Sequence, residues 1–157
     1  MAKEISMEYI EKARHSMAHV LARAVRELFG GDGVKLGIGP NIENGLYYDF
    51  DIDGHTLTDA DFAAIEARMT EIIKSDIDFV YQEVGDPESY FANEPYKLEL
   101  AREFAAAGET VSAYELGDFV DMCAGPHVAN TRELRNWGFS VASIAGAYWR
   151  GESDRPV

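Results

Sequence analysis

The chain has a single cysteine, Cys123, in 157 residues, and only 14 lysines and arginines against 28 aspartates and glutamates. One cysteine excludes an internal disulfide framework and fits a reducing compartment. It also excludes structural zinc sites built on a cysteine pair. No long apolar run, signal-peptide pattern, low-complexity tract or internal repeat occurs, so no membrane contact and a cytoplasmic location are expected. The shortage of positive charge, a net −14, repels phosphate and argues against a broadly basic nucleic-acid surface. It leaves room for a local basic rim, for which Arg14, Lys97, Arg132, Arg135 and Arg150 are candidates; the blander reading of each is a solvated surface charge. A hydrophobic content of 46% is enough to bury one substantial core.

What stands out against this background is a pair of short motifs, His15-x-x-x-His19 and Cys123-x-x-x-His127. Together they use three of the four histidines and the only cysteine, a complete nitrogen and sulfur set for a tetrahedral metal or for a water-activating site. Residues 7–29 read as a helix with Met17, Leu21, Ala24, Val25 and Leu28 at helical spacing and Gly30-Gly31 as a stop. On it His15 and His19 project from one face about 40° apart. That face, with Ala22 and Arg26, lies away from the apolar stripe, so the blander reading is a solvated pair. Asp118 to Cys123 alternates as a strand, broken by Ala124-Gly125-Pro126 just before His127. The blander reading there is a buried thiol and a satisfied imidazole. Sites with one cysteine usually keep room for water or substrate, which favours catalysis over stapling.

Elsewhere, Val34 to Ile38 and Leu46 to Ile52 read as strands, with a turn at Asp53-Gly54 leading to His55-Thr-Leu57. Thr58-Asp-Ala-Asp61 reads as a capping box opening a helix whose stripe is Phe62, Ile65, Met69, Ile72 and Ile73. A strand at Ile77 to Val84 and the turn-rich Gly85 to Ser89 follow. Helix is expected over Glu88 to Ala107, interrupted near Asn93-Glu-Pro95, then strands at Val111 to Tyr114, Phe119 to Cys123, Ser140 to Ile144 and Ala147 to Arg150. Tyr148 and Trp149 are expected to pack in the core, although Trp149 could instead stack. The pattern predicts an α+β fold, a mostly antiparallel sheet with helices packed on it.

Four segments in order, Arg14-His-Ser-Met-Ala-His19, Ile38-Gly-Pro-Asn-Ile-Glu-Asn-Gly-Leu-Tyr-Tyr-Asp49, Asp121-Met-Cys-Ala-Gly-Pro-His127 and Gly146-Ala-Tyr-Trp-Arg-Gly151, resemble those of threonyl-tRNA synthetases. The chain is similar, from about Glu8 to Ser153, to the amino-terminal editing module of the bacterial enzymes, the second additional domain shared with alanyl-tRNA synthetase and its free-standing relatives. The resemblance implies that residues 1–153 form this domain and that 154–157 begin a linker or end a cut segment. The chain is then either a fragment, which its end favours, or a stand-alone editor; no catalytic or anticodon-binding domain fits in it, so it cannot charge tRNA alone.

The resemblance further implies hydrolysis of serine mischarged onto threonine tRNA. A missing methyl is worth only about 1–3 kcal/mol of discrimination, so fidelity needs a second, hydrolytic site. The implied partners are the aminoacylated 3′ end of threonine tRNA and the remaining synthetase domains. His15, His19 and His127 would organise or deprotonate water, and Cys123 would be a metal thiolate or a water-positioning thiol. Asp121 would orient a histidine or bind the substrate amine, Lys97 would hold the terminal adenosine or its phosphate, and Tyr48 would wall the pocket. The free-standing alanyl-type relatives hold zinc with the four motif residues, whereas the threonyl module can work as a metal-free water site. Ala124 stands where the family often has arginine, which puts that contact with the tRNA end in doubt. Among rivals, a metalloprotease needs Glu where Ser16 stands, and a zinc deaminase needs Pro-Cys-x-x-Cys, which is absent. A non-catalytic zinc-stabilised tRNA-docking module remains.

Overall fold

The computed structural model describes residues 6–39, 41–42, 45–143, 145–146 and 156–157. Helix α1 (Met7–Phe29) begins where the Ser6 side chain accepts the Tyr9 N–H at 3.2 Å. It ends at Gly30, whose φ of 119° turns the chain out of the helix. Its buried residues, Ala13, Met17, Ala18, Val20, Ala22, Ala24 and Val25 together with Ser16 and His19, occur nearly all round it. That is the signature of a central helix covered on several sides. The face carrying the histidine pair is therefore not the solvated outer side of the blander reading, because a sheet covers it at His19. Leu28, expected in the core stripe, lies in the last turn beyond what covers the earlier ones and is 39% exposed.

Three small antiparallel sheets surround this helix. Strand β1 (Val34–Leu36) pairs with β4 (Phe50–Ile52), and β2 (Asn41–Ile42) with β3 (Gly45–Leu46). The expected strand from Leu46 to Ile52 is thus split by Tyr47, Tyr48 and Asp49. Bonds of 2.8 Å from Gly37 N–H to Asp49 O and from Asp49 N–H to Ile38 O still tie that bend to β1. Helix α2 (Phe62–Lys74) follows a 3-10 turn with the expected Thr58/Asp61 capping box and buries Ile65, Met69, Ile72 and Ile73. Phe62 is only partly buried. His55 to Leu57 form no strand: the His55 ring stacks on Phe29 at 4.6 Å and its Nε2 lies 3.0 Å from Asp61.

The third sheet comprises β5 (Phe79–Glu83), β6 (Ser112–Leu116) and β7 (Phe119–Met122), in that order. Between β5 and β6 lie α3 (Pro87–Tyr90) and α4 (Pro95–Ala106), separated at the expected interruption. Residues 140–143, expected as strand, are not one. The Val141 N–H is taken by the Glu66 carboxylate of α2 at 2.7 Å instead of by a strand neighbour. The strand expected at Ala147 to Arg150, and the roles given to Tyr148 and Trp149, lie outside the described residues. The class is α+β, helices with antiparallel sheets. Among the described residues no helix is long and apolar enough to cross a membrane.

Candidate functional site

Tyr114 of β6 and Asp121 of β7 are direct cross-strand partners. Beyond β7 the Cys123 N–H bonds to Ser112 O at 3.1 Å while Ser112 Oγ donates to Cys123 O at 2.9 Å. The turn that follows needs glycine: Gly125 has φ 79°, and a Cβ there would meet the Tyr114 hydroxyl at 2.7 Å. Its N–H points at Cys123 Sγ, 3.3 Å away. The chain then returns beside β5, with Phe79 N–H bonded to Ala129 O at 3.0 Å and a bridge between Asp78 and Asn130. This return lays the His127 ring on Phe79, stacked at 5.4 Å, and against the edge of Tyr114 at 4.3 Å.

His19 reaches the same place from α1. Its ring is 4.4 Å from that of His127 and is enclosed by Phe79, Tyr114 and Phe119. One ligand atom each of His19, Cys123 and His127 lies within 4.8 Å of the others. His15 stands beside this trio, half-buried, with its ring 6.2 Å from that of His127. Both ring nitrogens of His19 and Nε2 of His127 are buried without a hydrogen-bond partner among the described residues. Burial, with the Lys97 and His15 charges adding, pushes the His19 pKa down to about 3. Burial, then His19 and His15, pushes His127 down to about 2. Burial lowers His15 as well. Two neutral imidazoles with unsatisfied nitrogens beside a thiol fit a zinc ion chemically. Burial raises the Cys123 thiol pKa, against the Gly125 N–H, so a bound cation would have to displace its proton.

A second group adjoins the first. Lys97 Nζ lies 3.1 Å from Asp121 Oδ1, and these residues are 4% and 3% exposed. Tyr48 donates a hydrogen bond to Asp121 Oδ2, and Lys97 sits over the Tyr48 ring at 5.4 Å. Asp121 Oδ2 is also 3.8 Å from His19 Nε2. Because His19 is neutral, that contact is not an ion pair. Burial first, then the Asp121 charge and hydrogen bond, raise the Tyr48 pKa well above its ordinary value. Lys97 is therefore an interior charge, not part of a solvated rim. Arg132, 61% exposed, pairs with Asp76 at 3.2 Å, and Arg135 bonds to Lys74 O. Arg14 lines a cavity of about 1290 Å³ that Tyr48 also lines; Arg150 lies outside the described residues.

Residues 111–156 match the family described as the threonyl and alanyl tRNA synthetase second additional domain. Over that stretch the chain is similar to these second additional domains. Over 146 residues it is 47% identical to the threonine–tRNA ligase of Thermotoga neapolitana, covering 92% of this chain and 22% of that protein. It is 41% identical over 155 residues to the threonine–tRNA ligase of Aquifex aeolicus, covering 96% and 24%. With the Dehalococcoides mccartyi (strain BAV1) ligase it shares 47% over 150 residues, covering 94% and 25%. The chain thus spans about a quarter of the length of these relatives.

Ser16, Tyr114, Phe79, Phe119 and Glu94 also belong to the site, which the sequence did not lead one to expect. The aromatics form the walls around the imidazoles. Glu94 opens α4, accepts the Leu36 N–H at 2.9 Å and pairs with Arg26 of α1. This anchors the helix so that Lys97, in its first turn, faces Asp121. Ser16 alone left a signal, a small polar residue between the two motif histidines.

Proposed function

We propose that this domain hydrolyses the ester joining serine to the 3′ adenosine of threonine tRNA, in the cytoplasm, as the proofreading part of a threonyl-tRNA synthetase. The observation that carries this reading is the convergence of His19, Cys123 and His127 beside Asp121, Lys97 and Tyr48, in a chain whose relatives are threonine–tRNA ligases. An aminoacyl ester needs little help in leaving. The site has chiefly to position water, take its proton and steady a tetrahedral oxyanion.

His127 and His19, held neutral by burial, accept hydrogen bonds that position the water, and His15, the more exposed imidazole, takes its proton. Lys97 supplies positive charge for the oxyanion or the terminal nucleotide. Asp121, already the partner of Lys97 and Tyr48, draws the substrate ammonium. The ring of Tyr48 limits the room beside it, and there the extra methyl of threonine is to be refused. Zinc, where bound, would be held by His19, Cys123 and His127, with His15 next to them, and would supply Lewis acidity.

Deacylation of serine-charged, threonine-charged and alanine-charged tRNA by the chain tests this reading. Selective release of serine from threonine tRNA is expected; equal release of serine and threonine from that tRNA would refute proofreading. The alternative of a docking module that folds around these residues and hydrolyses nothing predicts no release above the spontaneous rate.

A further inference from the structure

Ser16 is fully buried in α1, and its hydroxyl oxygen has three polar neighbours: Lys12 O at 2.8 Å, the Val128 N–H at 2.9 Å and His127 Nδ1 at 3.2 Å. A hydroxyl has one proton to donate and two lone pairs to accept with. Two oxygens 2.8 Å apart need a proton between them, and a carbonyl has none, so the Ser16 proton is committed to Lys12 O. The Val128 N–H occupies one lone pair. The other faces His127 Nδ1, where a second lone pair would repel it and an N–H would satisfy it. We infer that Ser16 is a positioning residue that holds the His127 proton on Nδ1 and thereby leaves the lone pair on Nε2, the nitrogen buried beside His19 without a partner among the described residues.

This deepens the proposed function and rests on it for its purpose, since either a hydrogen-bond acceptor or a metal ligand at Nε2 requires that lone pair. It also gives Ser16 a reason for standing between the two motif histidines, one turn before His19. The device joins α1 to the segment after Cys123: Ser16 orders the Val128 backbone and the His127 ring with the same oxygen, so register and tautomer are set together.

The test is a long-range proton–nitrogen NMR spectrum of the 15N-labelled chain at neutral pH, with His127 assigned by comparison with His127→Gln. The wild-type chain should show His127 protonated at Nδ1 only. Ser16→Ala should lose that single-tautomer pattern and slow release of serine from mischarged threonine tRNA about 10–100-fold while still melting cooperatively. Ser16→Thr, which keeps the hydroxyl, should recover the pattern and most of the rate. A proton on Nε2 in the wild-type spectrum overturns the inference, as does Ser16→Ala with an unchanged pattern and rate. If Ser16→Ala fails to fold, the wild-type and Ser16→Thr spectra decide. A chain that shows the Nδ1 proton yet releases no serine would refute the proposed function and leave the Ser16 assignment standing.

Discussion

Asp121, 3% exposed, is shared by Lys97 and Tyr48. A buried ion pair adds little net stability, but removing one partner strands the other in a medium that cannot solvate it. Asp121→Ala should therefore destabilise the chain by about 3–5 kcal/mol, read by urea unfolding, and should abolish release of serine. A loss below about 1 kcal/mol would mean that Lys97 finds water or another partner. The imidazoles separate differently. His15→Ala touches a half-buried ring, so a rate loss of about a hundredfold with an unchanged melting curve would mark chemistry. His19→Gln changes a ring packed between three aromatics and should cost both rate and stability.

At the scale of elements, the site depends on one helix and one turn. Helix α1 was legible from its periodicity and from the Gly30 stop, a local signal, while the Ser6 cap at its start was not read. What periodicity left hidden was that a second face is buried, since a buried histidine reads as polar in any hydrophobic pattern. The turn after Cys123 was legible as a break, but not as a clamp between Gly125 and the Tyr114 hydroxyl. Gly125→Ala should cost about 1–3 kcal/mol for a left-handed backbone alone. By moving Cys123 relative to His127 it should also weaken zinc binding, measured by competition with a chromogenic chelator. Unchanged affinity would show that the turn does not set the ligand spacing. The missed break at Tyr47 to Asp49 has the same origin: a run of strand-forming residues was bent toward Asp121 by a hydroxyl contact formed across 73 residues.

Over the whole molecule, charge and burial predict a response to acid. In the folded chain His19 and His127 stay unprotonated down to about 3 and about 2, whereas unfolded imidazoles take up a proton near 6.5. Below about pH 6.5 the unfolded chain binds more protons, so stability is full above that pH and falls on acidification by about 1.4 kcal/mol per group per pH unit. The melting temperature should drop steeply between pH 6.5 and 5, and a His19→Gln, His127→Gln double variant should flatten the slope. A flat wild-type curve would contradict the burial of these rings. The net charge of −14 makes a different prediction, weak binding of tRNA by this chain, because the field of the whole molecule repels phosphate. Tight binding of uncharged tRNA would overturn it.

The sequence by itself determined the local features: helix α1 and its Gly30 stop, the capping box before α2, the helical break at Asn93 to Pro95, the α+β class, and the residue types of the site. These follow from near neighbours along the chain, where propensity, period and capping act. Only the tertiary structure decided that Lys97 faces inward to Asp121, that Ser16 meets His127 across 111 residues, and that His19 rather than His15 joins the closely spaced trio. Each of those outcomes is a balance between desolvating a polar group and supplying its partner. The partner comes from a distant segment, so no local pattern carries it.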